Sequence, residues 1–236
     1  MPWGLLLLFA LAAIIFFGLA ERVLDRMRLT DIQALVFIGL MIAGSYIEIP
    51  FFRGSSLNVG GALVPLGLVI YLLSRAGTPR ERWRAVIAAV ITGIAVLAVG
   101  MLMPNAPHTG SMMLIDPVWL FGITAGIVGY LSGRSRRSAF IAGVGGILLA
   151  DLFDVLVRGA ATEIGGAGMF DQIVLAGIIA VGLAELIGES RERLQGGPEQ
   201  ETERPLALRQ EDKVEANVVT DGHVGESGAD DDDKPN

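Results

Sequence analysis

Seven stretches of this chain are almost wholly apolar, and short polar stretches separate them. They cover roughly residues 3–20, 32–47, 57–73, 85–103, 117–132, 139–157 and 170–188. The hydrocarbon core of a bilayer is about 30 Å thick and takes about 20 mostly apolar residues per helix. Lipid offers no partners for open backbone groups, so such segments predict helices. The second and third are short and closely linked, which predicts a tight hairpin. The first resembles a secretory leader, but nothing before Glu21 is charged. A leader needs a basic start, so the segment is read as a retained helix.

The polar stretches carry an orientation signal, because loops left in the cytoplasm are enriched in Lys and Arg. The first loop holds Arg22, Arg26 and Arg28, and the third holds Arg75, Arg80, Arg82 and Arg84. The fifth holds Arg134, Arg136 and Arg137. The second has only Arg53, the sixth only Arg158, and the fourth, 103–116, has none. This alternation predicts seven crossings, with the N-terminus outside and the C-terminus in the cytoplasm. The expected fold is an all-α integral membrane protein, a bundle of about seven transmembrane helices.

Composition sharpens the division of the chain. It is 52% hydrophobic with a mean hydropathy of +0.57, beyond what soluble domains carry. The net charge of −7 comes from residues 189–236, which hold 14 acidic and 6 basic residues. Residues 1–188 are nearly neutral and form the expected membrane domain. Residues 189–236, rich in Glu, Gly, Pro and Gln, form the expected disordered acidic cytoplasmic tail, open to a cytoplasmic partner. The acidic balance gives no reason to expect nucleic acid. The terminal DDDDK run resembles a processing-protease recognition site, and Gly225–Gly228 reads GESG, the rhomboid-protease pattern, without an apolar helix around it. Neither enters the functional reading. With no cysteine and two distant histidines, His108 and His223, no metal site or cofactor is expected.

Glycines show how the fifth segment packs. Gly122, Gly126, Gly129 and Gly133 fall on one helical face. Small residues let membrane helices approach closely. Gly143, Gly145 and Gly146 in the sixth segment read the same way. No phosphate-cradling glycine loop is present.

Ionisable residues at membrane depth are costly and point to function. The candidates are Glu48, Asp151, Asp154, Glu163, Asp171 and Glu185. Glu185 lies near the cytoplasmic end of the last segment and reads as an interfacial charge. Asp151 and Asp154 share a face of the sixth helix, about 18 and 22 Å from its cytoplasmic start at about 1.5 Å per residue. Asp171 opens the seventh segment, and Glu48 ends the second. All four therefore fall in the outer leaflet. Arg158, four residues after Asp154, is a natural ion-pair partner for it.

Two outer loops echo each other. Residues 53–62 read RGSSLNVGGA, and residues 158–167 read RGAATEIGGA. Asn58 aligns with Glu163, and Gly60 and Gly61 with Gly165 and Gly166. Chance competes, since the chain has 31 glycines. As a parallel internal repeat, of a kind found in transporters, it predicts two hairpins around a shared outer cavity. The glycine-rich starts of the third and seventh helices would point bare N–H groups into it.

The combination of SYIEIPFFR, LNVGGALVP, ADLFD and IGGAGMFDQIVLAG resembles the uncharacterised prokaryotic membrane proteins known as domain of unknown function 1614. The resemblance covers roughly residues 30–188 and implies a prokaryotic cytoplasmic membrane location, but no activity. A weaker likeness is to intramembrane aspartyl proteases, which place one Asp in a sixth helix and another at the start of a seventh. It implies a proton-sharing pair of Asp151 and Asp171. The chain departs from that pattern: Met169 and Phe170 separate Gly168 from Asp171, and the later Pro-Ala-Leu is missing.

Three functions follow as expectations. The first is ion- or proton-linked binding or transport of a small solute or cation. Its ligands would be Glu48, Asn58, Gly60, Gly61, Asp151, Asp154, Glu163, Gly165, Gly166 and Asp171. The second is proteolysis by Asp151 and Asp171. The third is a membrane scaffold. An enzyme is the less favoured of these.

Overall fold

The computed structural model describes residues 3–52, 54–102, 117–159 and 163–194. Arg53, the fourth loop, residues 160–162 of the second glycine echo and the tail beyond Leu194 lie outside the described residues. The expected disordered tail falls there except for residues 189–194, which are helical and extend the last helix past the expected boundary. The described residues up to Gly188 form one packed unit.

Each apolar segment contains helix. The order is α1 (Trp3–Phe16), α2 (Glu21–Met27), α3 (Asp31–Gly44), β1 (Glu48–Pro50), β2 (Ser56–Asn58), a π-helical turn (Val59–Leu63), α4 (Val64–Ser74), α5 (Pro79–Leu102), α6 (Pro117–Gly133), α7 (Arg136–Leu156), β3 (Glu163–Ile164) and α8 (Ala167–Leu194). Local chemistry sets several starts. Thr30 and Gln33 form a reciprocal capping box before α3, and the Ser135 hydroxyl accepts the Ser138 N–H before α7.

Among the described residues, three helices are long and apolar enough to cross a membrane: Pro79–Leu102, Arg136–Leu156 and Phe170–Arg191. α1 and α2 would add a fourth if the bent pair is one span. Helices Asp31–Gly44, Val59–Ser74 and Pro117–Gly133 are apolar but shorter. The first segment differs from expectation. It breaks after Phe16, and α2 leaves at 97° to α1. Gly18, with φ +72°, sits in the turn, a conformation that suits a residue without Cβ.

The predicted glycine face of the fifth segment is the packing face of α6. A Cβ at Gly129 would lie 2.7 Å from the Gly143 nitrogen of α7, and one at Gly126 would lie 2.6 Å from Ile179 of α8. Across α7, a Cβ at Gly146 would lie 2.6 Å from Thr92 of α5. Small residues thus seat α7 between α5, α6 and α8, and the α7 residues Ala142, Val144 and Ile147 are buried.

Polar contacts gather the helix ends into two groups. In one, Arg28 and Arg137 both donate to the Arg75 carbonyl, Arg137 pairs with Glu81, and Arg84 donates to the Gly133 carbonyl. Arg136 at the start of α7 pairs there with Glu185 of α8. The second group holds the starts of α1, α6 and α8 and the short sheet. Its order is β1-β2-β3, with β1 and β2 antiparallel and β2 and β3 parallel. The hairpin expected between the second and third segments is therefore a β-hairpin, and a third strand from the sixth loop joins it.

Candidate functional site

The outer loops meet through backbone. Ser56 pairs with Glu163 and Leu57 with Ile164. The two echoing stretches thus lie side by side, two residues out of the register that sequence alignment gives them. Beyond the strands the chains touch: an added Cβ at Gly61 would lie 1.9 Å from the Gly165 carbonyl oxygen. Gly165 itself has φ +72°. These glycines let two backbones make contact.

Asn58 explains the local geometry. Its Oδ1 accepts the Gly61 N–H at 2.8 Å, and its Nδ2 donates to the Ser45 carbonyl at 2.8 Å. It therefore caps the π-helical turn and ties it to the end of α3. The N–H groups expected to stand bare have acceptors, since Gly61 donates to Asn58 and Gly166 to the Glu163 carbonyl. Buried backbone donors are thus paired, one by a side chain and one by a carbonyl. Gly60 is consumed likewise, because a Cβ there would lie 2.1 Å from the Met41 carbonyl oxygen. Glu48 and Glu163 lie on β1 and β3 with exposed side chains.

Asp171 has a partner that sequence did not suggest. Its Oδ1 accepts the Gly4 N–H at 2.8 Å and its Oδ2 the Trp3 N–H at 3.1 Å. The first N–H groups of a helix lack intrahelical acceptors, and the helix dipole favours negative charge there. A carboxylate on α8 thus caps α1. The Trp3 ring also packs edge-on against Trp119 of α6, with centroids 6.1 Å apart.

Asp154 and Arg158 form the i, i+4 ion pair read from sequence, at 3.1 Å, with side chains 36% and 42% exposed. Exposed pairs of this kind contribute little. Asp154→Ala is expected to change thermal stability by less than about 1 kcal/mol, checked by melting in detergent.

Asp151 stands apart. It lies on α7, only 7% exposed, and its Oδ2 has no hydrogen-bond partner among the described residues. Buried carboxylates normally have partners. Of the predicted acids, Asp151 is the one held in the interior without structural use of both oxygens.

Helices this apolar, with one basic group of ends and an acid inside, define a helical membrane protein. The chain belongs to the family described as protein of unknown function (DUF1614), whose model matches residues 16–183. It is also similar to sensory rhodopsin-1 of Halobacterium sp. (strain SG1), 29% identical over 111 residues, or 44% of this chain and 43% of that protein. The chain thus spans under half the length of that curated relative. No solved structure matches it.

Proposed function

We propose that the chain binds or transports a small solute or cation in a proton- or ion-linked manner, with Asp151 carrying the proton or ion. One observation supports this above others: Asp151 is a buried acid whose Oδ2 is unpartnered among the described residues. An intramembrane carboxylate is costly, and proton relays are a characteristic use of it. The broader ligand set reduces accordingly. Asp171 and Asn58 hold backbone, Asp154 faces Arg158, and Gly60, Gly61 and Gly165 sit at close contacts between backbone segments.

The proteolytic reading needs Asp151 and Asp171 to share a proton. Both Asp171 oxygens already accept backbone N–H groups, which favours transport over proteolysis. The same proposal takes the seven apolar segments as crossings of a prokaryotic cytoplasmic membrane, with the arginine-rich ends inside. The grouping of helix ends supports that alternation, as does the positive-inside rule.

The test uses the full chain in vesicles that trap a pH-sensitive dye, challenged with pools of amino acids, sugars, organic acids and monovalent cations. Asp151→Asn is expected to lower solute-driven proton flux at least about tenfold, as loss of a membrane-embedded proton carrier should. Asp154→Asn should leave it near wild type. Undiminished flux in a folded Asp151→Asn protein would overturn the proposal.

A further inference from the structure

A second feature lies away from Asp151. A cavity of about 280 Å³ sits among α1, α2, α3, α4, α7 and α8. Leu11 and Ile15 of α1, Leu24 and Met27 of α2, Ile38 of α3 and Val174 of α8 line it. Every other lining residue is also apolar or glycine, and none of the predicted site residues is among them.

The walls select the occupant. No lining side chain offers a hydrogen-bonding group, so a polar solute would be buried without partners at substantial cost. A peptide would bring unsatisfied N–H and C=O groups. Apolar cavities stay dry and accept hydrocarbon, and one of about 150 Å³ takes benzene. This cavity has roughly twice that volume and accommodates a longer hydrocarbon.

The α1–α2 bend lies between the cavity and an exposed apolar surface. Ile15 and Ala20 line the cavity, while their neighbours Phe16, Phe17 and Leu19 are 73–77% exposed. The wall is thus one chain thick, and its outer side is apolar. α2 is two-faced: Val23, Leu24 and Met27 turn to the cavity, whereas Glu21, Arg22, Asp25 and Arg26 are exposed. A short helix of this kind lies where hydrocarbon meets headgroups.

We propose that the cavity holds one acyl chain of a bilayer lipid, with the tail inside the bundle and the headgroup beside the polar face of α2. The α1–α2 bend is then the wall that separates the bound chain from the surrounding bilayer. The site is independent of proton-linked transport, and its failure would leave Asp151 untouched.

Gly182 offers a clean test. It lines the cavity, and a Cβ there meets nothing within 4 Å. Gly182→Leu therefore fills the space without a clash and favours the helix. Gly39→Leu, in equally open space but outside the cavity, is the control. The full chain is released from nanodiscs of phosphatidylethanolamine and phosphatidylglycerol, and tightly retained lipid is counted by native mass spectrometry. Wild type and Gly39→Leu should keep one lipid of diacyl mass, and Gly182→Leu should keep none. Ala34→Leu, on another wall of the cavity, repeats the test should Gly182→Leu fold poorly. A wild type that keeps no lipid overturns the proposal. So does a folded cavity-filling variant that keeps as much as wild type, or a retained mass that matches a non-lipid molecule.

Discussion

Gly61→Ala is expected to leave little correctly folded protein. The new methyl would lie 1.9 Å from the Gly165 carbonyl oxygen and 2.8 Å from its carbonyl carbon. Both are backbone atoms, so no side chain can rotate away. The turn cannot slide either, because Gly60 sits against the Met41 carbonyl and the Ser45 nitrogen. Overpacking of this kind costs about 3 kcal/mol or more. Size-exclusion chromatography of the detergent-extracted protein should show loss of the monodisperse peak. Gly67→Ala is the counterpart, six residues on in α4, where a Cβ meets nothing within 4 Å. It should be tolerated, or raise stability by about 0.5–1 kcal/mol through helix preference. Equal behaviour of the two variants would show that the Gly61–Gly165 contact does not govern folding.

Asp171→Ala should destabilise the protein by about 2 kcal/mol or more, through the loss of two charge-assisted hydrogen bonds and the exposure of two unpaired donors. The damage should be local first. Amide exchange at the start of α1 should rise well before exchange in α7, which lies between other helices. Asp171→Asn keeps the shape and one acceptor oxygen but loses the charge, so it should fall between wild type and Asp171→Ala. If exchange at Trp3 and Gly4 is unchanged in Asp171→Ala, the cap is not what holds α1.

Helical content was legible because apolar runs bounded by arginine leave the backbone little alternative to helix in lipid. The α6 glycine face was legible because helical periodicity places Gly122, Gly126, Gly129 and Gly133 together, whatever they pack against. Asp154–Arg158 is likewise a four-residue matter. What escaped depends on contacts far apart in sequence. Nothing near Asp171 indicates that its carboxylate takes the N–H groups of Trp3 and Gly4. The strands are two or three residues long, too short for an alternating pattern. The glycine echo did mark two loops that meet, and the meeting is a close contact of backbones. The α1–α2 bend had a local signal in Gly18 and the charged ERVLDRM stretch, outweighed by the apolar run before it. The cavity had none, since its walls are ordinary apolar residues from six helices.

The hydrogen bonds from Trp3 and Gly4 to Asp171 also set an order of events. Their partners are 168 and 167 residues apart. Synthesis at about 5–20 residues per second separates the two by roughly ten to thirty seconds. Through that interval the leading amides of α1 have only solvent as acceptor, and β2 has only β1 beside it. The cap on α1 is therefore among the last contacts the chain can make. A ribosome stalled before residue 171 would leave α1 accessible to quality-control proteases, and completion of α8 would withdraw it.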